Sequence, residues 1–343
     1  MKFKAITIKD IAKALGISVS SVSRALRDSY EISEPTKKKV REYADRHNYR
    51  PNPIALSLKE RKTRSIGIVF PEIANTFFSQ IIDGIESVAY KRNYNVIITQ
   101  SKESADREDM ILHYLTSRSI DGLIISVSAN NTDSSVIKNL QTEGVPIVFV
   151  DRIFDDIDTY KVIVDNQEAA YQATCHLIQN GYKNIAAIGN NKNLSITLER
   201  LEGYKKALKK NNLQIPDHFI QYCEHGGLVI EEVKTAIDNL LKPAKKPDAL
   251  VLLSDRITTE SFRYLQSKGI KIPDKIGLIG FNNSAFTEML TPSLSTIQQP
   301  AFQMGETAAL RILEIIESKR PVTRFEKIVL PPTIIKRQSS KNG

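Results

Sequence analysis

Cysteine and long apolar runs are the features that this sequence lacks most clearly, and each shortage excludes a class of protein. Cys175 and Cys223 are the only cysteines among 343 residues, too distant for the paired spacing of a zinc site and too few for a disulfide framework. No stretch approaches the ~20 apolar residues of a membrane-spanning helix, and no apolar signal sequence follows Met1. We therefore expect a protein of the reducing cytoplasm with no bound metal and no membrane partner.

Motifs for catalysis are missing as well. The chain has no glycine-rich phosphate loop and no nucleophile elbow, and its five histidines are scattered without the spacing of a ligand set. These gaps predict a binding protein that is not an enzyme and needs no cofactor. An enzyme on an α/β fold remains the alternative at this point, because the absence of a motif is weak evidence.

Positive charge is concentrated at the N-terminal end. The chain has 48 Lys and Arg against 39 Asp and Glu, a net charge of +9. Residues 1–64 hold 16 of these cations and 7 of these anions, so the other 279 residues hold 32 of each and sum to zero. A basic segment in which charges alternate with periodic apolar residues predicts a folded module that meets phosphates. A solvated arm and a membrane-surface patch are the alternatives.

Residues 6–26 have the pattern of a helix-turn-helix. The first helix presents apolar residues at the i, i+3, i+4 and i+7 positions of one face: Ile8, Ile11, Ala12 and Leu15. Gly16 follows where the helix end needs a left-handed residue, and Ser18 is expected to cap the next helix. That second helix should bury Val22 and Leu26.

The outward face of the second helix suits the major groove of DNA. It would expose short or polar residues together with two arginines: Val19, Ser20, Ser23, Arg24 and Arg27. Short side chains allow close approach of the backbone, and the guanidinium of Arg24 can donate two hydrogen bonds to one guanine. The alternative is a small helical hairpin whose outer face is merely solvated.

A third helix should complete this small domain. Ser33 and Pro35 mark its start, and it is expected to run to about His47. The predicted buried stripe is Val40, Tyr43, Ala44 and His47. We expect His47 to pack at the edge of the core rather than to bind a ligand.

The segment that follows can be a short helix or a plain linker. Asn52 can cap and Pro53 can occupy the first helical position, but few residues remain before a charged run. A helix that short is marginal in water unless its apolar residues pack against a second copy of the chain.

The remainder of the chain, from about residue 64 on, has the alternating pattern of an α/β protein. Seven apolar runs alternate with longer helical patterns: residues 65–70, 94–99, 121–126, 146–150, 184–189, 248–253 and 275–280. Such runs are typical of parallel strands buried on both faces. About 275 residues exceed one comfortable core, so we predict two doubly wound lobes with a ligand cleft beyond the carboxyl ends of the strands.

Polar and aromatic residues near the ends of these strands are the candidates for the cleft. They are Asn75, Phe77, Phe78, Asp151, Arg152, Asp165, Arg200, His225, Asp255 and Asn282. Flat rings can cover a sugar face while amide, carboxylate and guanidinium groups pair with its hydroxyls, so the set predicts a polyhydroxylated ligand. We expect only one or two of the first three to contact it. For each charged residue alone, an ion pair at the rim of a lobe is the competing interpretation, and for His225 an exposed loop position.

Several motifs in succession resemble the LacI/GalR family of bacterial transcription regulators. They include TIKDIAKALGISVSSVSRAL, NYRPNPIALSLK, VDR at 150–152, HLIQNGYKNIAAIG, RLEGYKKAL, IPDKIGLIGFNN and TPSLSTIQQP. Their ordered succession covers nearly the whole chain and is more specific than any one motif. The resemblance implies an all-α helix-turn-helix DNA-binding domain at 1–51 and a hinge helix with linker at 52–64. It also implies a two-lobed α/β core at 65–343, like that of periplasmic binding proteins.

The resemblance also implies how the core is divided. An N-lobe would comprise about 65–163 plus 294–322, and a C-lobe about 165–290 plus 325–338. The chain would pass between the lobes near 162–165, 290–294 and 322–326. No leucine-heptad tail follows Arg337, which favours a dimer over a tetramer.

As partners, the resemblance implies a near-palindromic double-stranded operator, a second copy of the chain and a small effector, a sugar or sugar derivative. The protein would then be a repressor whose operator affinity the effector switches, with release of DNA as the default sign. A periplasmic sugar-binding protein with the same core is the alternative, but the basic helical module of residues 1–64 argues against it.

Carried over residue by residue, the resemblance implies two kinds of DNA contact. Val19, Ser20 and Arg24 would reach base edges, whereas phosphates, which set register rather than sequence, would be held by Thr7, Ser18, Ser21, Ser23, Asn48 and Tyr49. Leu58 of each subunit would wedge into the minor groove at the operator centre, with Lys59 beside it.

Two positions depart from the family's pattern. Asn282 stands where the family usually has Asp, and because an amide both donates and accepts, the preferred hydroxyl pattern or ligand charge can differ. Arg256 and Glu260 lie where small residues are common, and we expect them to pair on the helix surface or to reshape the dimer face.

Replacing the predicted wedge should separate operator binding from assembly. Leu58→Ala is expected to weaken operator binding, because the duplex loses the apolar group that props open its central step. Dimerisation of the core should be unchanged. Operator titrations and sedimentation of the same samples measure both quantities, and an unaltered operator affinity would reject the wedge.

Overall fold

A computed structural model describes residues 6–50, 62–117 and 120–341. The chain divides into two compact units, residues 1–63 and 64–343, which are described separately. Leu58 and Lys59, and with them most of the predicted hinge at 52–64, lie outside the described residues. Within the described residues, no helix is both long enough and apolar enough to cross a membrane.

The first unit is a three-helix domain whose helix ends are set by short polar side chains. Its helices are α1 (Ile8–Leu15), α2 (Val19–Leu26) and α3 (Glu34–Arg46). Thr7 and Asp10 form a reciprocal capping box at the start of α1, and Gly16 ends that helix at φ 67°. The Ser18 hydroxyl accepts a hydrogen bond from the Ser21 N–H at 3.0 Å. The predicted helix-turn-helix is therefore present, with Gly16 at the end of α1 and Ser18 as the cap of α2, as the sequence predicts.

The core of this unit is small, and the apolar side chains at its centre are fully buried. Ile11, Val22, Ala25 and Val40 are wholly buried and bring all three helices together. The prediction for His47 is wrong: it is exposed and stacks on Tyr43 with ring centroids 4.2 Å apart. The reason is positional, since α3 ends at Arg46 and His47 is its C-terminal cap, beyond the buried stripe.

Two six-stranded sheets form the second unit, one in each lobe. The N-lobe sheet has the order β11-β5-β4-β3-β1-β2 and the C-lobe sheet the order β12-β10-β9-β8-β6-β7. The N-lobe strands are β1 (Ser65–Phe70), β2 (Asn95–Gln100), β3 (Gly122–Ile125), β4 (Ile147–Val150), β5 (Lys161–Val164) and β11 (Lys327–Leu330). The C-lobe strands are β6 (Ile185–Gly189), β7 (Ile220–Tyr222), β8 (Ala249–Leu252), β9 (Gly277–Phe281), β10 (Ser295–Gln298) and β12 (Thr333–Ile335). All neighbours are parallel except β10 and β12.

Helices cover both faces of these sheets, as the apolar strands require. They are α4 (Thr76–Lys91), α5 (Ala105–Ser117), α6 (Ser135–Thr142), α7 (Asn166–Gln179), α8 (Ser195–Lys210), α9 (Ile230–Leu241), α10 (Asp255–Ser267) and α11 (Ala301–Glu317). Each lobe has two clusters of buried hydrophobic side chains, one on each side of its sheet. The predicted doubly wound, two-lobed fold class is confirmed, and each of the seven predicted runs forms a strand within one or two residues of its predicted ends.

The last two passages between the lobes lie farther along the chain than expected. β10 belongs to the C-lobe sheet and α11 to the N-lobe, so the second passage is at 299–300, not 290–294. β11 belongs to the N-lobe sheet and β12 to the C-lobe sheet, so the third passage is at 331–332, not 322–326. The first passage, at Asp165, follows β5. These boundaries were missed because β10 is mostly polar and β12 has only three residues, and such strands gain their stability from pairing rather than from an apolar run.

Two glycines let α4 and α11 pack backbone against backbone in the N-lobe. A Cβ on Gly84 would stand 2.1 Å from the carbonyl oxygen of Phe302, and a Cβ on Gly305 would stand 2.1 Å from that of Ile81. Neither carbonyl can move without moving its helix. The pair is therefore a rigid wall from which nearby side chains project.

This packing predicts an unequal response to two matched substitutions. Gly305→Ala should lower the free energy of unfolding by about 1–3 kcal/mol, because the new methyl group forces the helices apart. Gly67→Ala, whose Cβ would meet side-chain methyls of Ile120, Leu115 and Leu123, should cost less because those groups can rotate. Urea denaturation of both variants measures the difference, and equal costs would contradict the backbone contact.

Candidate functional site

The outer face of α2 and the turn before it carry the predicted base-reading residues in an accessible arrangement. The Ser18 hydroxyl lies 2.7 Å from that of Ser20 and 2.8 Å from that of Ser21. Val19 is 41% exposed, a large fraction for an apolar side chain in so small a domain. Short side chains and one exposed aliphatic group therefore form the surface that would approach base edges.

Arg24 and Arg27 are held by weak partners that DNA can replace. Arg24 Nη1 lies 3.0 Å from Glu31 Oε2, with both side chains about half exposed. The Nη2 of Arg27 donates to the Ser23 hydroxyl at 3.0 Å. Exposed ion pairs contribute little in water, so Arg24 can leave Glu31 for another acceptor without a large loss of free energy.

The predicted phosphate contacts are placed around the same domain. The Thr7 hydroxyl donates to Asp10 at 2.7 Å, so it is a helix cap that must be shared with any phosphate. Asn48 is exposed, with φ 49°. Tyr49 is half-buried against the domain core, and this burial raises the pKa of its hydroxyl. None of these positions is buried out of reach.

In the second unit, seven of the ten predicted cleft residues line one cavity between the lobes. The cavity has a volume of about 60 Å³. Its predicted members are Asn75, Phe77, Phe78, Asp151, Arg152, Arg200 and Asp255. Asn75, Phe77 and Phe78, the three candidates after β1, all line the cavity, although only one or two of them are expected to contact ligand. His225 lines an adjoining cavity of about 50 Å³ that shares Asn75, Phe78 and Arg152 with the first.

The N-lobe wall of the cavity is a buried charge network at the end of β4. Asp151 has φ 64°, a left-handed conformation that is costly for a residue with a side chain. Burial raises the pKa of Asp151, although Arg152 and Arg200 oppose that shift. Arg152 Nη1 donates to both carboxylate oxygens of Glu103, at 2.8 and 2.9 Å. The head of Arg152 is therefore fixed in place before any ligand arrives.

The C-lobe wall is organised around Arg200, near the start of α8. Its Nε donates to Asn166 Oδ1 at 2.8 Å, its Nη1 donates to the Leu253 carbonyl at 2.7 Å, and its guanidinium lies 3.7 Å from the centre of the Phe281 ring. Burial lowers the pKa of Arg200 to about 10, so the side chain remains charged at neutral pH. The guanidinium is thus fixed in position and charged, and a group of this kind can donate hydrogen bonds to oxygen acceptors.

Asn282 is close to the cavity but does not line it. Its Nδ2 donates to Asp255 Oδ1 at 3.2 Å and to Thr259 Oγ1 at 3.1 Å, while its Oδ1 accepts from the Ser284 N–H at 2.8 Å. Its polar atoms are thus occupied within the protein. The residue positions Asp255, whose pKa is raised by burial to about 6.

Asp165 and Arg256 lie elsewhere than expected, whereas His225 has the exposed position that was its alternative. Asp165 is an exposed cap that accepts from the Glu168 N–H at 2.9 Å, so it begins α7 rather than facing the cavity. His225 is exposed and its Nδ1 lies 2.7 Å from Glu232 Oε1. Arg256 does not pair with Glu260: it forms a short ion pair with Glu72 of the other lobe, because α10 begins at the cleft mouth.

Five cavity residues were missed by sequence reasoning. They are Asn190, Ile196, Leu253, Ser254 and Gln299. The strand-end rule that selected Asp151 also applies to Asn190 after β6 and to Ser254 after β8, so that signal was available. Gln299 carries no local signal, since it follows β10, a mostly polar strand that is not among the predicted apolar runs.

Two donors in the cavity wall are buried without a hydrogen-bond partner. They are Nε of Arg152 and Nε2 of Gln299. Asp151 Oδ2 lies 3.9 Å from the first, too far for a hydrogen bond. An unpaired buried donor costs about 1–3 kcal/mol, so an acceptor atom of a ligand at this position would recover that free energy. Among the described residues, no three His, Cys, Asp or Glu side chains converge as a metal site would require.

The buried carboxyl of Asp255 predicts a specific pH dependence. Its pKa is about 6 in the folded protein against an ordinary 3.8, so the folded state retains a proton that the unfolded state releases between these values. The free energy of unfolding should therefore fall as the pH rises through this window, and Asp255→Asn should remove that part of the fall. Urea titrations of both proteins between about pH 4 and pH 7 measure it, and parallel curves would contradict the assignment.

Comparison with known proteins gives the same division of the chain. A family model described as "Bacterial regulatory proteins, lacI family" matches residues 7–52. A second, described as "Periplasmic binding proteins and sugar binding domain of LacI family", matches residues 63–336. The catabolite control protein A of Priestia megaterium is 31% identical over 337 residues, which cover 98% of this chain and 99% of that protein.

Two solved structures share the fold over nearly the whole length. A transcriptional regulator CelR–cellobiose complex matches with a TM-score of 0.71 and 25% identity, over 97% of this chain and 99% of that one. A lac repressor dimer bound to operator and the anti-inducer ONPF matches with a TM-score of 0.84 over 98% and 99%, and at 22% identity this likeness concerns the fold alone. The chain therefore belongs to the LacI family of bacterial DNA-binding transcription regulators, which are not enzymes.

Proposed function

We propose that this protein is a cytoplasmic repressor whose operator affinity is switched by a sugar or sugar derivative bound between the two lobes. The observation that carries the proposal is the cavity of about 60 Å³ between the lobes, called the inner cavity from here on. Buried charged groups, two aromatic rings and two unpaired donors converge there. Such a site needs a ligand that offers several oxygen acceptors and a flat apolar face. Sugars and their derivatives have both.

The relatives support a carbohydrate as the effector but do not identify which carbohydrate it is. The model that matches residues 63–336 is described as a sugar binding domain, and one similar structure holds cellobiose. In this chain, Phe77 and Phe78 supply flat rings, while Arg152 and Arg200 supply fixed donors. Carboxyl groups of Asp151 and Asp255 can accept from sugar hydroxyls.

The small volume of the inner cavity bears on the mechanism. About 60 Å³ is far below the several hundred cubic ångströms of an occupied ligand site, so the lobes must separate for a sugar to enter. Two contacts hold them together in this conformation. Arg256 pairs with Glu72, and the Nδ2 of Asn283 donates to Gln80 Oε1 at 2.8 Å.

Ligand binding would therefore change the balance between lobe arrangements. That change alters how the DNA-binding domains of a homodimer are presented to the operator, and the default sign is release of DNA. Because the two binding sites are thermodynamically linked, DNA must weaken ligand binding by the same factor by which ligand weakens DNA binding. A two-fold dimer implies a near-palindromic operator.

One experiment tests the switch as a whole. The purified protein is bound to a randomised duplex library, with and without each of a panel of sugars, and the retained DNA is sequenced. We expect a near-palindrome that one sugar releases. Retention strengthened by a sugar would reverse the sign to co-repression, whereas the absence of an enriched sequence under any condition would overturn the proposal.

Two substitutions should separate the two sites. Arg24→Ala is expected to weaken operator binding by about 1–3 kcal/mol and to relax preference at one base pair, with effector binding retained. Arg200→Ala is expected to abolish the effector response with operator binding retained. Operator titrations with and without the releasing sugar measure both. Equal weakening of Arg24→Ala on operator and random DNA would make Arg24 a phosphate contact, and a normal response of Arg200→Ala would reject the cavity assignment.

A further inference from the structure

A second and larger cavity lies at the seam between the lobes, outside the proposed effector cavity. Its volume is about 530 Å³, within the range of about 300–1,000 Å³ that is usual for small-molecule sites. We call it the seam cavity. It is lined by Gln80, Asp83, Gln298, Gln299, Pro300, Ala301, Phe302, Gln303 and Thr333.

One wall of the seam cavity is rigid. Gln80 and Asp83 belong to α4, and Phe302 and Gln303 begin α11. These helices are the pair whose backbones meet at Gly84 and Gly305, and neither can shift without breaking that contact. The N-lobe side of the seam cavity is therefore already formed before a ligand binds.

The opposite wall belongs to the C-lobe. Gln298 ends β10, and Thr333 begins β12, the antiparallel strand at the edge of that sheet. Gln299 and Pro300 are the passage between the lobes. A ligand held by both walls would bind one lobe arrangement better than another, which is the condition for a regulatory effect.

The lining chemistry selects the class of ligand. It contains four amide side chains, one carboxylate, one hydroxyl and the ring of Phe302, which is 41% exposed. No Lys, Arg or His is among the lining residues, and Asp83 would repel an anion. Amides and a carboxylate pair with hydroxyl groups, and an exposed ring covers the apolar face of a sugar. The seam cavity therefore favours a neutral sugar ring over a phosphorylated or carboxylated one.

Gln299 connects the two cavities. It lines both the seam cavity and the inner cavity, it is only 7% exposed, and its Nε2 is the buried donor without a partner. The Gln299 N–H donates to Asn283 Oδ1 at 3.0 Å, and its carbonyl accepts from Asn283 Nδ2 at 2.7 Å. Its backbone is thus fixed, and only the side-chain amide can respond to a ligand on either side.

We infer that the seam cavity is a second binding site, which takes a neutral sugar ring and is coupled to the inner cavity through Gln299. This site does not depend on the identity of the effector. A ligand bound there shifts the same equilibrium between lobe arrangements as the effector does, so that the protein can respond to two ligands rather than one.

Methyl resonances of the full-length protein can distinguish the two sites. Ala301 and Thr333 line only the seam cavity, and Ile196 lines only the inner cavity. The methyl groups of these residues are labelled, and glucose, xylose and cellobiose are titrated separately, with glucose 6-phosphate as the anionic probe and glucosamine as the cationic one. We expect saturable shifts of Ala301 and Thr333 with at least one neutral sugar and none with glucose 6-phosphate.

Two variants, Phe302→Ala and Arg200→Ala, show which of the two cavities a sugar occupies. Phe302→Ala should weaken the binding reported by Ala301 and Thr333 by about tenfold, because an exposed ring face is lost. Arg200→Ala should leave that binding unchanged while removing the response of Ile196. Because Phe302 is partly exposed, its replacement should leave the fold intact, and unchanged Ile196 resonances verify this.

The outcomes that overturn the second site differ from those that overturn the proposed effector site. Shifts confined to Ile196 with every neutral sugar, or shifts of Ala301 and Thr333 with glucosamine or glucose 6-phosphate only, would reject the seam site. Both results would leave the proposed switch standing. Loss of all sugar responses in Arg200→Ala would show one site, not two, and would also reject the inference.

Discussion

The core depends on one constraint, which is that a single chain passes between the lobes three times. Each lobe sheet is completed by strands that arrive after such a passage: β11 pairs with β5 in the N-lobe, and β12 pairs with β10 in the C-lobe. Three chain segments therefore join the lobes, and any opening of the cleft must leave these segments in place. Because parallel strands present their carboxyl ends at one edge, the residues that follow them are brought to the interlobe cleft.

The cleft concentrates charge that would be costly to bury singly. Asp151, Arg152 and Arg200 are each more than nine-tenths buried, and Glu103 pairs with Arg152. Buried charges of this kind are stable only when each is paired or hydrogen-bonded, and removal of one partner leaves the other charges uncompensated. Asn282 belongs to this scheme as a support: with its amide committed to Asp255 and Thr259, it positions an acid without adding a charge.

The two interlobe contacts explain how a narrow cavity can still be a binding site. The ion pair of Arg256 with Glu72 and the amide pair of Asn283 with Gln80 stabilise the arrangement in which the inner cavity is small. Neither contact is extensive, so a ligand that supplies acceptors for buried donors can offset their loss. The seam cavity lies beside one of them, since Gln80 lines it. A ligand at the seam would therefore act on the same equilibrium as one in the cleft.

Local patterns in the sequence determined the three helices of the DNA-binding domain, the seven strands predicted from apolar runs and most of the cavity. Caps, periodic apolar faces and residues at strand ends act over a few positions, and for Gly16, Ser18 and Asp151 the local signal and the final structure agree. Tertiary structure alone decided the other five strands, β5, β7, β10, β11 and β12, and with the last three the second and third passages, because these strands are stabilised by neighbours distant in sequence. It also decided the pairing of Arg256 with Glu72, the occupied amide of Asn282 and the exposure of His47. Each of these depends on which groups the fold brings within hydrogen-bonding distance, and a linear pattern does not contain that information.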